Sequence, residues 1–79
     1  MKNTLSDRLN YLTTLAEERS VTRAAARLFI SQPALTAFLN RTEDELGTRL
    51  FDRTTTPMRI TEAGAYYLSE LEKICIMQD

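Results

Sequence analysis

The side chains best suited to chemistry lie together in SQPALT, residues 31–36. Gln32 carries an amide that can pair bidentately with the edge of adenine, and the Thr36 hydroxyl can meet either a donor or an acceptor on a base. Pro33 and Ala34 offer apolar surface that suits a thymine methyl. This is a chemistry of recognition, and the chain holds little that would break bonds. It has no histidine, no glycine-rich phosphate loop and one cysteine, Cys75, set in an apolar run. An enzyme is therefore not expected. Glu43, Asp44 and Glu45 could attract a cation, but consecutive helical positions point apart, so a solvated acidic face is expected. No metal and no cofactor are expected.

The net charge of −1 and a pI near 5.4 argue against a nucleic-acid partner, whose binders are usually basic. The distribution argues the other way. From Arg19 to Thr42 there are four arginines (19, 23, 27 and 41) and no acid. The stretch from Arg49 to Ile60 adds Arg49, Arg53 and Arg59 against Asp52 alone. The acids gather at Asp7, Glu17, Glu18, Glu43 to Glu45 and along the carboxyl-terminal segment. Charge segregated in this way steers a polyanion even when the total is near zero.

These side chains need elements to carry them. A chain of 79 residues at 43% apolar content makes one small domain, near the limit at which a single core suffices. It has no apolar run long enough to span a membrane, and no membrane partner is expected. Leu5, Leu9, Leu12, Leu15 and Ala16 recur at helical spacing, with Thr4 as cap. Ser20 caps a short second helix ending near Leu28, with Val21, Ala25 and Leu28 inward and Ala24–Ala26 keeping its surface thin. Phe29 and Ile30 form a turn. Ser31 caps a third helix with Pro33 in its first turn and Leu35, Phe38, Leu39 and Leu46 inward; Gly47 ends it. TRLFDR and PMRI are β-prone runs around TTTP, which predicts a small hairpin.

Thr61 caps a fourth helix from about Glu62 to Met77. Its apolar residues, among them Tyr66, Tyr67, Leu68, Leu71, Ile74, Cys75, Ile76 and Met77, cover more than one stripe, so it is expected to be buried on two sides. One side covers the three-helix core. The other wants a partner chain, and Tyr67, Leu68, Leu71, Ile74 and Cys75 are the expected interface.

The result is a mainly α, winged helix-turn-helix fold: a three-helix core, a two-stranded wing and a carboxyl-terminal linker helix. Residues 1–61 are expected to form the winged domain and residues 62–79 the linker and dimerisation helix. In a helix-turn-helix the second helix of the pair lies in the major groove and presents its amino-terminal residues to base edges.

SVTRAAARLFISQPALT, EDELGTRLFDR and RITEAG, in that order, resemble the amino-terminal DNA-binding domain of LysR-type transcriptional regulators. The resemblance implies sequence-specific binding of double-stranded DNA by a bacterial, cytoplasmic, nucleoid-associated regulator. It makes Gln32, Pro33, Ala34, Thr36 and Ala37 the expected base contacts. Thr22 and Ser31, at two helix amino termini, become expected backbone contacts, and Arg23 and Arg41 join them. Arg53 of LFDR matches a wing residue that enters the minor groove, with Thr55 and Thr56 beside it; the other reading of Arg53 is a salt bridge with Asp52 or Glu62. The fourth helix would pair with its equivalent in a two-fold homodimer on an inverted repeat. A small-molecule inducer would act only through a larger effector domain that this sequence lacks, which makes the stretch a piece of a longer regulator or a natural short form.

The chain also departs from that pattern. Ala37 and Phe38 stand where a basic or glutamine pair is common, and Thr42 stands where a leucine usually anchors the helix. The wing has TTTP where basic residues and a glycine are common. These departures, with the acidic pI, favour an alternative: a winged-helix module for protein–protein dimerisation with weak or lost DNA binding.

Overall fold

A computed structural model describes residues 4–78. The elements run α1 (Leu5–Glu18), α2 (Val21–Leu28), α3 (Gln32–Leu46), β1 (Phe51–Asp52), β2 (Arg59–Ile60) and α4 (Glu62–Gln78). This is the winged helix-turn-helix architecture expected from the sequence.

Each helix start follows from a local hydrogen bond. Thr4 and Asp7 form a reciprocal capping box at α1, Ser20 Oγ accepts from Arg23 N at 3.2 Å, and Ser31 Oγ accepts from Ala34 N at 3.2 Å. Thr61 Oγ1 accepts from Gly64 N at 2.9 Å and so opens α4. These side chains satisfy amide groups that would otherwise lack partners. Gly47 closes α3 at φ 70°, as its position suggests. Arg19 and Phe29 close α1 and α2 in the same left-handed region, which is costly for residues with a Cβ.

The core collects Leu12 and Leu15 of α1, Ala24 and Ala25 of α2, Leu35, Phe38 and Leu39 of α3, Leu50, Phe51 and Met58 of the wing, and Leu71 of α4. Burial along α1 grades from Leu5, 39% exposed, to Leu12 and Leu15, which are buried. Leu5 is thus too near the amino-terminal edge to join the core, contrary to its place in the periodic pattern. The Tyr11 ring meets Phe38 edge-on, with centroids 5.0 Å apart, a favoured aromatic geometry. Phe38 is therefore a core residue.

Two expectations about α3 need correction together. Leu46 is not inward; it is 39% exposed. Glu43, expected on a solvated face, is buried. The last inward slot of α3 goes to the carboxylate because Leu50 N donates to Glu43 Oε2 at 2.8 Å and Phe51 N donates to it at 3.3 Å. A buried carboxylate is tolerable when it is hydrogen-bonded and paired. Thr42 is buried as well, and its hydroxyl donates to Phe38 O at 2.8 Å.

The hairpin is shorter than TRLFDR and PMRI suggest. Only Phe51↔Ile60 and Asp52↔Arg59 pair, antiparallel. The flanking backbone groups are used elsewhere: Leu50 N bonds Glu43, and Met58 N donates to Arg19 O at 3.2 Å. Arg19 Nε donates in turn to Met58 O at 3.2 Å, so the wing base is tied to the α1–α2 corner.

α4 packs along α1, and Arg8 Nη1 donates to Tyr67 Oη at 2.9 Å between them. That bond, with lesser help from Glu45, raises the Arg8 pKa against the opposing effect of burial. Gly64 lies where α4 crosses the wing: a Cβ there would stand 2.1 Å from Leu50 O and 2.8 Å from Ile60 Cγ1. Among the described residues no helix is long and apolar enough to cross a membrane.

Candidate nucleic-acid interface

Packing decides which edge of α3 stays bare. Leu35, Phe38 and Leu39 are buried, which turns Ser31, Gln32, Pro33, Ala34 and Ala37 to the surface, with Thr36 half-buried beside them. Gln32, Pro33, Thr36, Ala37 and Asn40 line one shallow hollow. Gln32, Pro33 and Thr36 belong to SQPALT, and Ala37 is an expected contact from the family resemblance. Asn40 was missed, although Gln32, Thr36 and Asn40 follow one another at four-residue spacing on one helix face.

The two helices of the motif are joined at their amino-terminal turns. Thr22 Oγ1, exposed at the start of α2, donates to Gln32 Oε1 at 3.0 Å. Neither α2 nor α3 carries an acid in its first turn, whereas α1 has Asp7 and α4 has Glu62. The partial positive charge at the two helix starts is therefore not neutralised locally. Such ends suit phosphate oxygens.

The arginines divide into two groups. Arg27 pairs with Glu17 at 2.7 Å and with Glu18 at 3.2 Å, and these contacts, Glu17 first, raise its pKa. It is spent on the α1–α2 surface. Arg23 and Arg41 are exposed and have no ion-pair partner among the described residues. The positive edge seen in the sequence is thus narrower than a count of arginines implies.

Arg53 is held on both sides. Its Nη2 donates to Asn40 Oδ1 at 2.9 Å and to the buried Glu43 Oε1. Arg49 reaches the same carboxylate oxygen at 3.3 Å from a position that is largely exposed. The sequence offered Asp52 or Glu62 as the salt-bridge partner of Arg53; the partner is Glu43, because its carboxylate occupies the junction of α3 and the wing. Both bonds use Nη2, and Arg53 Nε and Nη1 donate to nothing among the described residues, so the guanidinium is positioned with donors to spare.

The threonines of the wing mostly hold their own turn. Asp52 Oδ1 accepts from both the Thr54 hydroxyl and Thr54 N. These bonds, the hydroxyl first, lower the Asp52 pKa below the ordinary carboxylate range, with a smaller contribution from Arg59. Thr55 Oγ1 donates to Pro57 O at 3.0 Å. Thr56 is exposed at the tip.

On α4 the residues expected at the interface divide between the chain's own core and the surface. Leu71 is buried in the chain's own core, and Tyr67 and Leu68 pack against that core. Helical geometry puts Gly64, Leu68, Leu71 and Cys75 on one stripe; Gly64 meets the wing, Leu68 and Leu71 join the core, and Cys75 is half-buried. Ile74 alone of the expected set is exposed, at 43%, whereas Tyr66 at 70% and Ile76 at 72% are more so. The side chain of Met77 lies outside the described residues.

Residues 6–65 match the family of bacterial regulatory helix-turn-helix proteins of the lysR family. The chain is 44% identical over 71 residues to the HTH-type transcriptional regulator BudR of Klebsiella aerogenes, covering 90% of this chain and 50% of BudR. It is 54% identical over 57 residues to the regulator PgrR of Escherichia coli K12, covering 72% of this chain and 19% of PgrR. The chain thus spans half or less of these relatives. Among solved structures, the BenM DBD in complex with catB site 1 DNA superposes with a TM-score of 0.83 at 33% identity, over 96% of this chain and 81% of that one. Full-length BenM gives a TM-score of 0.81 at 33% identity, over 96% of this chain and 25% of that one.

Proposed function

The chain belongs to the lysR family of bacterial regulatory helix-turn-helix proteins, and on that premise we propose that it binds double-stranded DNA sequence-specifically as the recognition module of a transcriptional regulator. The amino-terminal half of α3 enters the major groove. Gln32, Pro33, Ala34, Thr36 and Ala37 face base edges, while Thr22, Ser31, Arg23 and Arg41 meet the phosphate backbone. The wing lies at the minor groove, with the spare donors of Arg53 and the Thr55 and Thr56 region toward it. Two chains associate through α4 and read an inverted repeat. Residues 1–61 act as the DNA-binding unit and residues 62–79 as the linker, and any small-molecule control comes from a further domain.

One observation supports this reading above the others: the edge of α3 that carries Gln32 and Thr36 between Pro33, Ala34 and Ala37 is open while the residues beneath it are buried. The deciding experiment is a selection from randomised duplexes followed by binding at several salt concentrations. Sequence-specific binding whose affinity falls with a slope of about −0.9 per phosphate contacted, on sites with two-fold symmetry, is expected. The rival reading, a dimerisation module without DNA binding, takes its support from the exposed Tyr66, Ile74 and Ile76 of α4. It predicts dimers that show no salt-dependent binding to any duplex.

A further inference from the structure

We infer that Asn40 is an additional base-reading residue, and that the Arg53–Glu43 pair fixes which half of its amide faces the groove. The inference rests on the DNA-binding reading above. Asn40 is exposed and shares the hollow with Gln32, Pro33, Thr36 and Ala37. Ala37 contributes no polar atom there, so beyond Thr36 the next group able to hydrogen-bond is the Asn40 amide.

The orientation of that amide follows from what guanidinium can do. Arginine only donates, so the Asn40 atom at 2.9 Å from Arg53 Nη2 must be its oxygen. Arg53 cannot easily drift away, because the same nitrogen donates to Glu43 Oε1, and the Glu43 side chain is only 3% exposed. Its other oxygen is tied to Leu50 N and Phe51 N. Glu43 and Arg53 are thus positioning residues, and Asn40, with its oxygen turned to Arg53, keeps both amino hydrogens available.

An amino group seeks acceptors. In the major groove guanine presents two, N7 and O6, whereas adenine (N7) and thymine (O4) present one each and cytosine presents only a donor. Asparagine free to use both halves of its amide prefers adenine; with the oxygen turned toward Arg53, the preference moves to guanine. Asn40 lies two turns beyond Gln32, about 12 Å along the helix axis, which spans about three to four base-pair steps. The guanine should therefore fall within about four base pairs of the position that Gln32 reads.

The test is a duplex selection on the wild-type chain, Asn40→Ala and Gln32→Ala, followed by binding to the selected site with 7-deazaguanine in place of the guanine. Asn40→Ala is expected to fold normally, to keep every other preference, and to lose about fivefold of discrimination at one base pair, the lower end for a base contact. Removing the N7 acceptor should weaken wild type by a few fold and leave Asn40→Ala unchanged. Arg53→Lys, which cannot hold carboxylate and amide in one plane, should broaden the same base pair. If Asn40→Ala selects the wild-type sequence unchanged, the inference is overturned while the DNA-binding reading stands. If wild type selects no sequence, both fall.

Discussion

The Thr22 hydroxyl donates to the Gln32 side-chain oxygen at 3.0 Å, so the first turn of α2 orients the leading residue of α3. An exposed glutamine otherwise samples many rotamers, and ordering one on binding costs about 0.5–1.5 kcal/mol. Thr22→Val keeps the shape and removes the donor. It should weaken binding and blur the preference at the base pair read by Gln32, while Thr22→Ser restores both. A loss that is equal on every sequence would mean that Thr22 serves only the phosphate backbone; competition between the selected site and single-base variants separates the two.

Glu43 is the buried link between α3 and the wing. Glu43→Ala strands the buried N–H groups of Leu50 and Phe51, which should cost about 2–4 kcal/mol. Glu43→Gln keeps an acceptor and should cost less. Urea midpoints with an unchanged denaturant slope measure this. A Glu43→Ala chain as stable as wild type would show that the network contributes nothing.

Gly64→Ala sets helix propensity against a clash. Alanine is better than glycine inside a helix by about 1 kcal/mol. The new Cβ would meet the Leu50 carbonyl oxygen at 2.1 Å, and backbone cannot step aside as a flexible side chain does. The clash should win, with a net loss of about 1–3 kcal/mol, read as a lower thermal midpoint.

The surface of α4 separates folding from association. Leu71→Glu places a charge in the chain's own core and should unfold it, since an unpaired buried charge is among the costliest changes. Tyr66→Glu and Ile76→Glu change exposed positions, so the chain should stay folded and sediment as a monomer. Folded dimers in both variants would show that another surface joins the chains.

Arg53→Ala tests the wing. Binding should fall most on sites flanked by narrow A·T minor grooves, where negative potential attracts a guanidinium. Equal loss on all flanks would confine Arg53 to its contacts with Glu43 and Asn40.

The order of elements was legible in the sequence because each is fixed locally. Thr4, Ser20, Ser31 and Thr61 open helices, Gly47 closes one, and Leu35, Phe38 and Leu39 set the period that leaves Gln32 and Ala37 outside. No such local rule places Glu43, whose burial depends on the amide groups of Leu50 and Phe51 arriving from the wing. The same holds for Asn40, which acquires its fixed orientation only because Arg53 reaches it from another element. The division of α4 into a face for its own core and a face left bare was likewise not in its composition, whose apolar residues spread over more than one stripe. Short-range hydrogen bonds and periodicity act within a few residues and are written in the chain; partners that meet across elements exist only once the core has closed.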